Sequence, residues 1–500
     1  MRAQRSIRLR RSAAAEVLMQ ETELNLELSQ AGAETLLKTN PFGTSPTVLQ
    51  QTSTYFDTLG RDLSKRGLSL RIRQSGNERV QTVKAGDGTA AGPFIRDEWE
   101  RPVTGDKPVL DDPQIGALLA GAAPRLVPLF EVQVRRHRWN VTSSEATVEV
   151  SLDLGKIVAA DRESPVCEIE LEKKAGTPAA LFELARKVDL VAPARLGVLS
   201  KAERGYRLLG PAPGAVKAKP APLTPHMSAA TAFVQIAAES LKQFRLNEMA
   251  LTWSRDAEVL HQARVSLRRL RSLFSICKPL LLDSRFDRFR EELRWLAAET
   301  GRARNIDVML SRATNEELIA RLQAAREDAY RALNTSLSSV RVRSLMIDLV
   351  EWFSIDDRRA DTSSKVVHAE LVRDFASVAL NRLRKKVVKG GRNLIDADDE
   401  ARHRLRIAAK KLRYAAEFFE LLYLSKTQVK RHHRFTTVLA GLQDQLGNLN
   451  DLAVASDMFS ELGLSGAVGT EDLFGMDEKA RLLRRAAKAH DAFANTKRFW

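Results

Sequence analysis

The segment ETELNLEL, residues 21–28, alternates strictly: Glu21, Glu23, Asn25 and Glu27 fall on one face of a β-strand, and Leu24, Leu26 and Leu28 on the other. Six more segments keep the two-residue period: LSLRIR (68–73), RVQTVKA (79–85), RDEWERPV (96–103), FEVQVRRHRW (130–139), ATVEVSLDLG (146–155) and VCEIELEKK (166–174). Gly76-Asn77, Gly86-Asp87-Gly88 and Leu154-Gly155 read as turns, and so many short strands in succession predict an antiparallel sheet or barrel. Two brief helices are expected in this half, over 31–38 and 178–188.

The polar faces are unusual in what they carry. Arg71 and Arg73 are in phase on one strand, Arg136 and Arg138 on another, and Arg96 with Glu98 and Glu100 on a third. Glu149 is in phase with Asp153, and Glu168 with Glu170 and Glu172. A solvated face explains any one of these strands. Seven together, with arginines segregated from glutamates, predict a closed sheet in which cations face anions. Glu21 and Glu23 stand ~7 Å apart along a strand, a spacing that with water suits Mg²⁺ or Mn²⁺. Arginines grip phosphate oxygens, so metal and guanidinium together could neutralise a linear polyphosphate for transfer to water.

The remaining 275 residues read differently. Prolines at 211, 213, 220, 222 and 225 forbid regular structure between the halves. Beyond them a 3.6-residue period runs through 229–246, 255–280, 285–300, 315–340, 368–388, 401–423 and 429–460, which predicts an all-helical domain. That domain repeats itself. HQARVSLRRLR (261–271) aligns without a gap on HRLRIAAKKLR (403–413), and ETGRARNIDV (299–308) on QLGNLNDLAV (445–454). On a helix His261, Arg264, Arg268 and Arg271 form one cationic stripe, matched by His403, Arg406, Lys410 and Arg413. Like charges so placed repel and invite a counter-anion. The alternative for one copy is a solvated basic face paired with acids of a neighbouring helix. Neither histidine has a second ligand at i+4, so a phosphate contact or a packing role is expected rather than a metal.

Composition sets the frame. The chain has 500 residues, 44% of them apolar and 28% charged, which implies two or more globular domains. The net charge of +16 is uneven: residues 1–225 carry 32 Lys and Arg against 27 Asp and Glu, and the rest 47 against 36. A polyanionic partner is expected for the second half. Nucleic acid is set aside because aromatic residues that could stack on bases are not interleaved with the basic stripes. Two distant cysteines, Cys167 and Cys277, give neither a disulfide framework nor a thiolate metal site. No apolar run suits a membrane span or a signal peptide, so a cytoplasmic protein without a membrane partner is expected. Arg2, Arg5, Arg8, Arg10 and Arg11 in residues 1–17 read as a disordered basic tail.

In order and spacing ETELNLEL, YFDT (55–58), GLSLRIR, QTVKAG, RDEWERPV, RRHRW, EVSLDLG, CEIELEKKAG and SKAERGY (200–206) resemble the CYTH family of triphosphate tunnel metalloenzymes. The resemblance spans 18–207. It implies an eight-stranded antiparallel barrel whose tunnel takes triphosphate with Mg²⁺ or Mn²⁺. Glu21, Glu23, Lys84 and Lys201 would be catalytic, and Arg71, Arg73, Arg96, Arg136, Arg138 and Arg204 would bind substrate. Glu21, Glu23, Asp153, Glu168 and Glu170 would hold the metal. Asn25 stands where the family signature has a lysine, so the alternative is a non-catalytic tunnel. Residues 226–500, after a linker over 208–225, resemble the CHAD family. This implies two pseudo-symmetric four-helix bundles that bind inorganic polyphosphate, with possible placement on polyphosphate granules. The binding residues would be His261, Arg264, Arg268, Arg269, Arg271, Arg304, His403, Arg406, Lys410, Lys411 and Arg413. RNIDVML (304–310) and GNLNDLAVA (447–455) are expected as polar turns that fix helix ends. The activity expected overall is hydrolysis of inorganic triphosphate or a related short phosphate chain, and the rival is a polyphosphate-binding protein with a degenerate tunnel.

Overall fold

The computed structural model describes residues 19–86, 94–119, 121–211, 214–280, 285–354, 370–461 and 476–500. The arginine-rich head and the Asp87-Gly88 turn lie outside them. The chain forms two compact units, Met1–Pro213 and Gly214–Trp500.

In the first unit eight antiparallel strands close into a barrel: β1 (Met19–Leu28), β2 (Thr47–Asp57), β3 (Leu68–Ser75), β4 (Glu78–Ala85), β5 (Phe94–Pro102), β6 (Val127–Thr142), β7 (Ala146–Ala159) and β8 (Arg162–Gly176). Their order is β5-β4-β3-β2-β6-β7-β8-β1, and β1 pairs with β5 to complete the ring. A short β9 (Ala194–Leu196) adds to the end of β1. The seven alternating segments are all strands. The eighth, β2, contains TVLQQTST, which is polar in both phases and so shows no period. Leu154-Gly155 is no turn. Gly155 lies inside β7, where a Cβ would come within 2.0 Å of the Gln133 carbonyl, so glycine lets β6 and β7 run on in close contact.

Apolar side chains of the strands point outward and are covered by helices. Leu24 and Leu26 are buried, with Leu181, Phe182, Ala185 and Val188 of α4 (Ala179–Val191) as the inward stripe of the helix that packs on β1 and β8. α1 (Gln30–Thr39) packs on α4. On β3–β5, Leu68, Leu70, Ile72, Val83 and Trp99 join Leu63 of α2 (Asp62–Lys65) and Ile115 of α3 (Pro113–Leu118). Burial of each such side chain stabilises the fold by about 1.5–3 kcal/mol. With the apolar residues committed outward, the barrel interior is left to the charged ones.

One end of the interior is the exception. Phe130, Val132, Val134, Ile157, Ala159 and Val166 there meet Ala202 and Tyr206 of α5 (Lys201–Leu208). Ser200 caps α5 in a reciprocal box with Glu203, and the Tyr206 hydroxyl donates to buried Asp57 at 2.9 Å. Gly205 lies flat on the Phe130 ring, and a Cβ there would fall 2.1 Å from a ring carbon. α5 thus enters deeply enough to present Lys201 inside the barrel.

The second unit is helical: α6 (Ala229–Leu251), α7 (Ala257–Cys277), α8 (Arg285–Glu299), α9 (Gly301–Leu310), α10 (Glu316–Leu337), α11 (Val340–Ser354), α12 (Val372–Gly390), α13 (Asp399–Phe418), α14 (Lys426–Glu461) and α15 (Met476–Ala494). α7 and α13, the repeated basic helices, pack on each other, as do α6 and α12. Among the described residues the second copy is four helices, α12 to α15. The first divides its third helix into α8 and α9 and adds α11 against α6 and α8. The expected polar turns at 304–310 and 447–455 are helical instead, within α9 and α14. The proline-rich stretch is also less free than expected. The Val216 N–H donates to Asn247 Oδ1 and its carbonyl accepts from Asn247 Nδ2, each at 2.9 Å, and Ala221 and Leu223 are buried. The amide of Asn247 supplies the backbone partners that neither sheet nor helix offers there.

Replacing Gly205 with alanine should shift α5 and cost about 1–3 kcal/mol through overpacking. Phe130→Leu in the same chain should recover most of it, as measured by hydrogen exchange of the α5 and β6 amides.

Candidate functional site

A cavity of about 250 Å³ runs through the barrel, and each of the eight barrel strands feeds it: Glu21, Glu23 and Asn25 from β1, Tyr55 from β2, Arg71 and Arg73 from β3, Lys84 from β4, and Arg96, Glu98 and Glu100 from β5. Arg136 and Arg138 of β6, Glu149 and Ser151 of β7, Glu170, Glu172 and Lys174 of β8, and Lys201 of α5 complete it. Charged faces of the seven alternating segments turn inward on one another.

Strand register decides which charges meet. Glu21 is paired across β1/β5 with Arg96, whose guanidinium bonds Glu23, and Lys84 donates to Glu21 at 2.6 Å. Arg136 holds Asp153 through two bonds of 2.6 and 2.7 Å and Glu170 through a third of 2.6 Å. Lys201 is clasped by Asp153, Glu168 and Glu170 at 2.8, 2.6 and 2.7 Å. Burial works against its charge, but these three carboxylates outweigh burial and hold its pKa well above the ordinary lysine value. Lys201 is therefore a fixed cation and not a proton carrier. Burial likewise opposes the ionised form of Glu170, yet Lys201 and Arg136 keep it well below the usual carboxylate range.

Elsewhere carboxylates crowd. Glu23 stands opposite Glu172, and Glu172 opposite Glu149, one row across β1, β8 and β7. Burial raises the Glu23 pKa despite Arg96 and Lys84, and burial with Glu149 nearby raises that of Glu172 despite Lys174. These are acids short of positive charge. The cavity wall carries eight Lys and Arg against seven Glu, close to self-neutral. Among the described residues no three His, Cys, Asp or Glu groups form a ready-made metal cage. The donors lining the wall are hard oxygens, two of them under-neutralised, and that chemistry fits a divalent cation.

Not every expected tunnel residue lines it. Asp153 and Glu168 are buried behind the wall, taken by Arg136, Lys201 and Arg204, so of the expected metal set only Glu21, Glu23 and Glu170 face the cavity. Arg204 binds Glu168 at 2.9 Å and the Pro165 carbonyl, outside the lining. Glu172, Glu149, Glu98, Glu100 and Lys174 line it unanticipated as site residues, though the alternation that placed Glu170 also points to Glu172.

The helical unit holds a cavity of about 900 Å³ between its two copies of the basic helix. His261, Arg264, Arg268 and Arg271 of α7 face His403, Arg406, Lys410 and Lys411 of α13, with Arg304 of α9 beside them. Ten Lys and Arg line it against two carboxylates, Glu291 and Asp451. Neutral groups fix the cations: Arg264 donates to Thr300 at 2.9 Å, Arg406 to Asn450 at 3.0 Å, Arg268 to the Tyr414 hydroxyl at 3.2 Å. Burial and the guanidinium groups of Arg406 and Arg268 push Lys410 down to about 7. Burial with Arg304 pushes His261 down to about 4, so it is neutral at pH 7.

Arg269 and Arg413 correct the expected set: both turn to Glu417, away from this lining, and Arg269 stacks on Phe418. Arg269 lies one residue, about 100° of helix, off the stripe. Arg290 and Arg294, i and i+4 on α8, line the cavity and were legible as a basic pair. Asp307 does not line it. It anchors α9 to α10 by accepting from Arg326 at 2.7 Å and from Tyr330 at 2.9 Å.

Comparison with known proteins gives two family matches and several relatives. The inorganic triphosphatase of Haemophilus influenzae is 31% identical over 205 residues, 38% of this chain and 56% of that one, so the chain spans about half the length of that relative. A solved CHAD domain from the plant Ricinus communis is 28% identical, covering 56% of this chain and 95% of that one at a TM-score of 0.46. A Hippeastrum protein described as a putative adenylyl cyclase with dominant triphosphatase activity is 22% identical, covering 36% and 93% at a TM-score of 0.29. Among the described residues no helix is long and apolar enough to cross a membrane. The profile matches fall one on each unit, and the chain carries a CYTH domain over residues 19–206 followed by a CHAD domain over 235–460.

Proposed function

We propose that the barrel hydrolyses inorganic triphosphate or a related short phosphate chain with a divalent cation, Mg²⁺ or Mn²⁺, and that the helical domain binds inorganic polyphosphate. The observation that carries the first half is the closed wall on which arginines and lysines face carboxylates across a narrow cavity. The CYTH domain match falls on this same region, over residues 19–206.

Arg71, Arg73, Arg96, Arg136, Arg138 and Lys84 would grip the non-bridging oxygens and stabilise charge as the terminal phosphoryl passes to water. Glu21, Glu23 and Glu170 would hold the cation, which when bound supplies the neutralisation that a self-balanced wall lacks. Lys201 does its work earlier, keeping Asp153, Glu168 and Glu170 ionised and aligned. The α5 plug excludes water from one end. In the helical domain ten cations with two acids need no metal to attract an anion, and their repulsion is relieved when a phosphate chain enters.

Phosphate release from tripolyphosphate should require Mg²⁺ or Mn²⁺ and exceed release from ATP. Glu23→Gln should lower it on the order of 100-fold. No release by the wild type would leave the barrel a binding module, and equal rates in variant and wild type would remove Glu23 from the reacting site.

Lys201→Met should cost the barrel on the order of 3–5 kcal/mol, because three buried carboxylates lose their shared cation. Protection of the β7–β8 amides from hydrogen exchange reads this directly. The folded pKa values of Asp153 and Glu170 lie below their ordinary 3.8 and 4.5. Their stabilisation is thus complete above those values and is lost only as pH falls through the lowered ones.

Lys410 gives the helical domain a pH signature. A bound polyphosphate raises its pKa from about 7, so binding takes up protons near pH 8 and weakens as pH rises above 7. Calorimetry in buffers of different ionisation heat should show this uptake, and Lys410→Arg should abolish most of it.

A further inference from the structure

Asn25 is 3% exposed, lines the barrel cavity, and its Oδ1 has no hydrogen-bond partner. A buried amide oxygen left unmatched costs about 1–3 kcal/mol, so its persistence in a folded barrel asks for a ligand. Its backbone is pinned. The Asn25 carbonyl accepts the Gly197 N–H at 2.6 Å, and a Cβ on Gly197 would meet the Asn25 Cβ at 3.0 Å, so β1 cannot retreat from the cavity here.

Its neighbours are acids. Glu170 is directly opposite on β8, and Glu23, two residues back on the same face, is opposite Glu172. The four residues make a two-by-two patch: three carboxylates and one neutral oxygen. Phosphate oxygens accept hydrogen bonds and cannot satisfy another acceptor, whereas a hard cation takes amide and carboxylate oxygens together.

We propose that Asn25 Oδ1 is a ligand to a divalent cation seated on β1 and β8 with Glu23 and Glu172. Where the family signature places a fixed ammonium, this chain places an oxygen that recruits an exchangeable charge. Glu170, opposite Asn25 and kept ionised by Lys201 and Arg136, is the third acid of this site, as Glu23 and Glu172 are its other two beside Arg96 and Lys174. The inference rests on reading the tunnel as a divalent-cation site and adds which residue completes it.

The test is Mn²⁺ binding to the full chain without phosphate, followed by the loss of the free-ion electron paramagnetic resonance signal. Asn25→Leu should weaken the tunnel Mn²⁺ by roughly 10-fold, of the size lost when a partner of a metal ligand is removed. Asn25→Asp, which keeps volume and oxygen, should bind at least as tightly as wild type. Asn25→Lys should weaken it further than Asn25→Leu, by placing an ammonium beside the ion. If wild type and all three variants bind Mn²⁺ alike, and Glu23→Gln alone weakens it, Asn25 is no ligand although the tunnel still holds a cation. If wild type binds no Mn²⁺ in the tunnel, the metal reading of the barrel falls together with the inference. Near-ultraviolet circular dichroism confirms that each variant is folded. Should Asn25→Leu fail to fold, the opposed responses of the aspartate and lysine variants decide.

Discussion

Mutual neutralisation of charge inside a closed sheet is the constraint on which the barrel depends. Its strands send leucine, isoleucine and valine outward to the covering helices, so arginine and glutamate have nowhere to go but in. Isolated charges at such burial would be prohibitively costly. Register solves this by placing Arg136 against Asp153 and Glu21 against Arg96, and by letting Lys201 close a triangle of acids. Slipping any strand by one residue would exchange the two faces completely. The same pattern that charges the interior therefore fixes the pairing of the sheet.

The helical domain handles charge in the opposite way. Its cavity is built from like charges, held apart by neutral partners such as Thr300, Asn450 and Tyr414. The like charges repel one another, and burial together with that repulsion lowers the pKa of Lys410. The two cavities thus differ in their physics: the wall of one is nearly self-balanced, and that of the other is strongly cationic.

Much of this was legible in the sequence because alternation and helical period are written in residue type. The inward placement of Arg71, Arg73, Glu21, Glu23 and Glu170 follows from the period of two, and the facing stripes of α7 and α13 from their repetition. What was missed has identifiable causes. β2 carries polar residues in both phases, so periodicity could not reveal it. Asp153, Glu168 and Arg204 share the phase or the motif of tunnel residues, yet depth along the barrel, which sequence does not encode, sets them behind Lys201. Arg413 matches Arg271 in the alignment but finds Glu417 one turn away, and a local ion pair overrides the repeat. Asn25 was visible as a departure; that its oxygen is left without a partner needed coordinates.

The duplicated helices leave one further mark. A cavity whose cations come from two copies of a single motif reads spacing and sign and carries little that distinguishes one link of a uniform chain from the next. A long homopolymer can then occupy it in many equivalent registers, and each additional register multiplies the ways of being bound. For the polyphosphate proposed above, longer chains would gain in apparent affinity through this statistical factor alone, without a single new contact, and a bound chain would creep through the cavity one link at a time instead of leaving it.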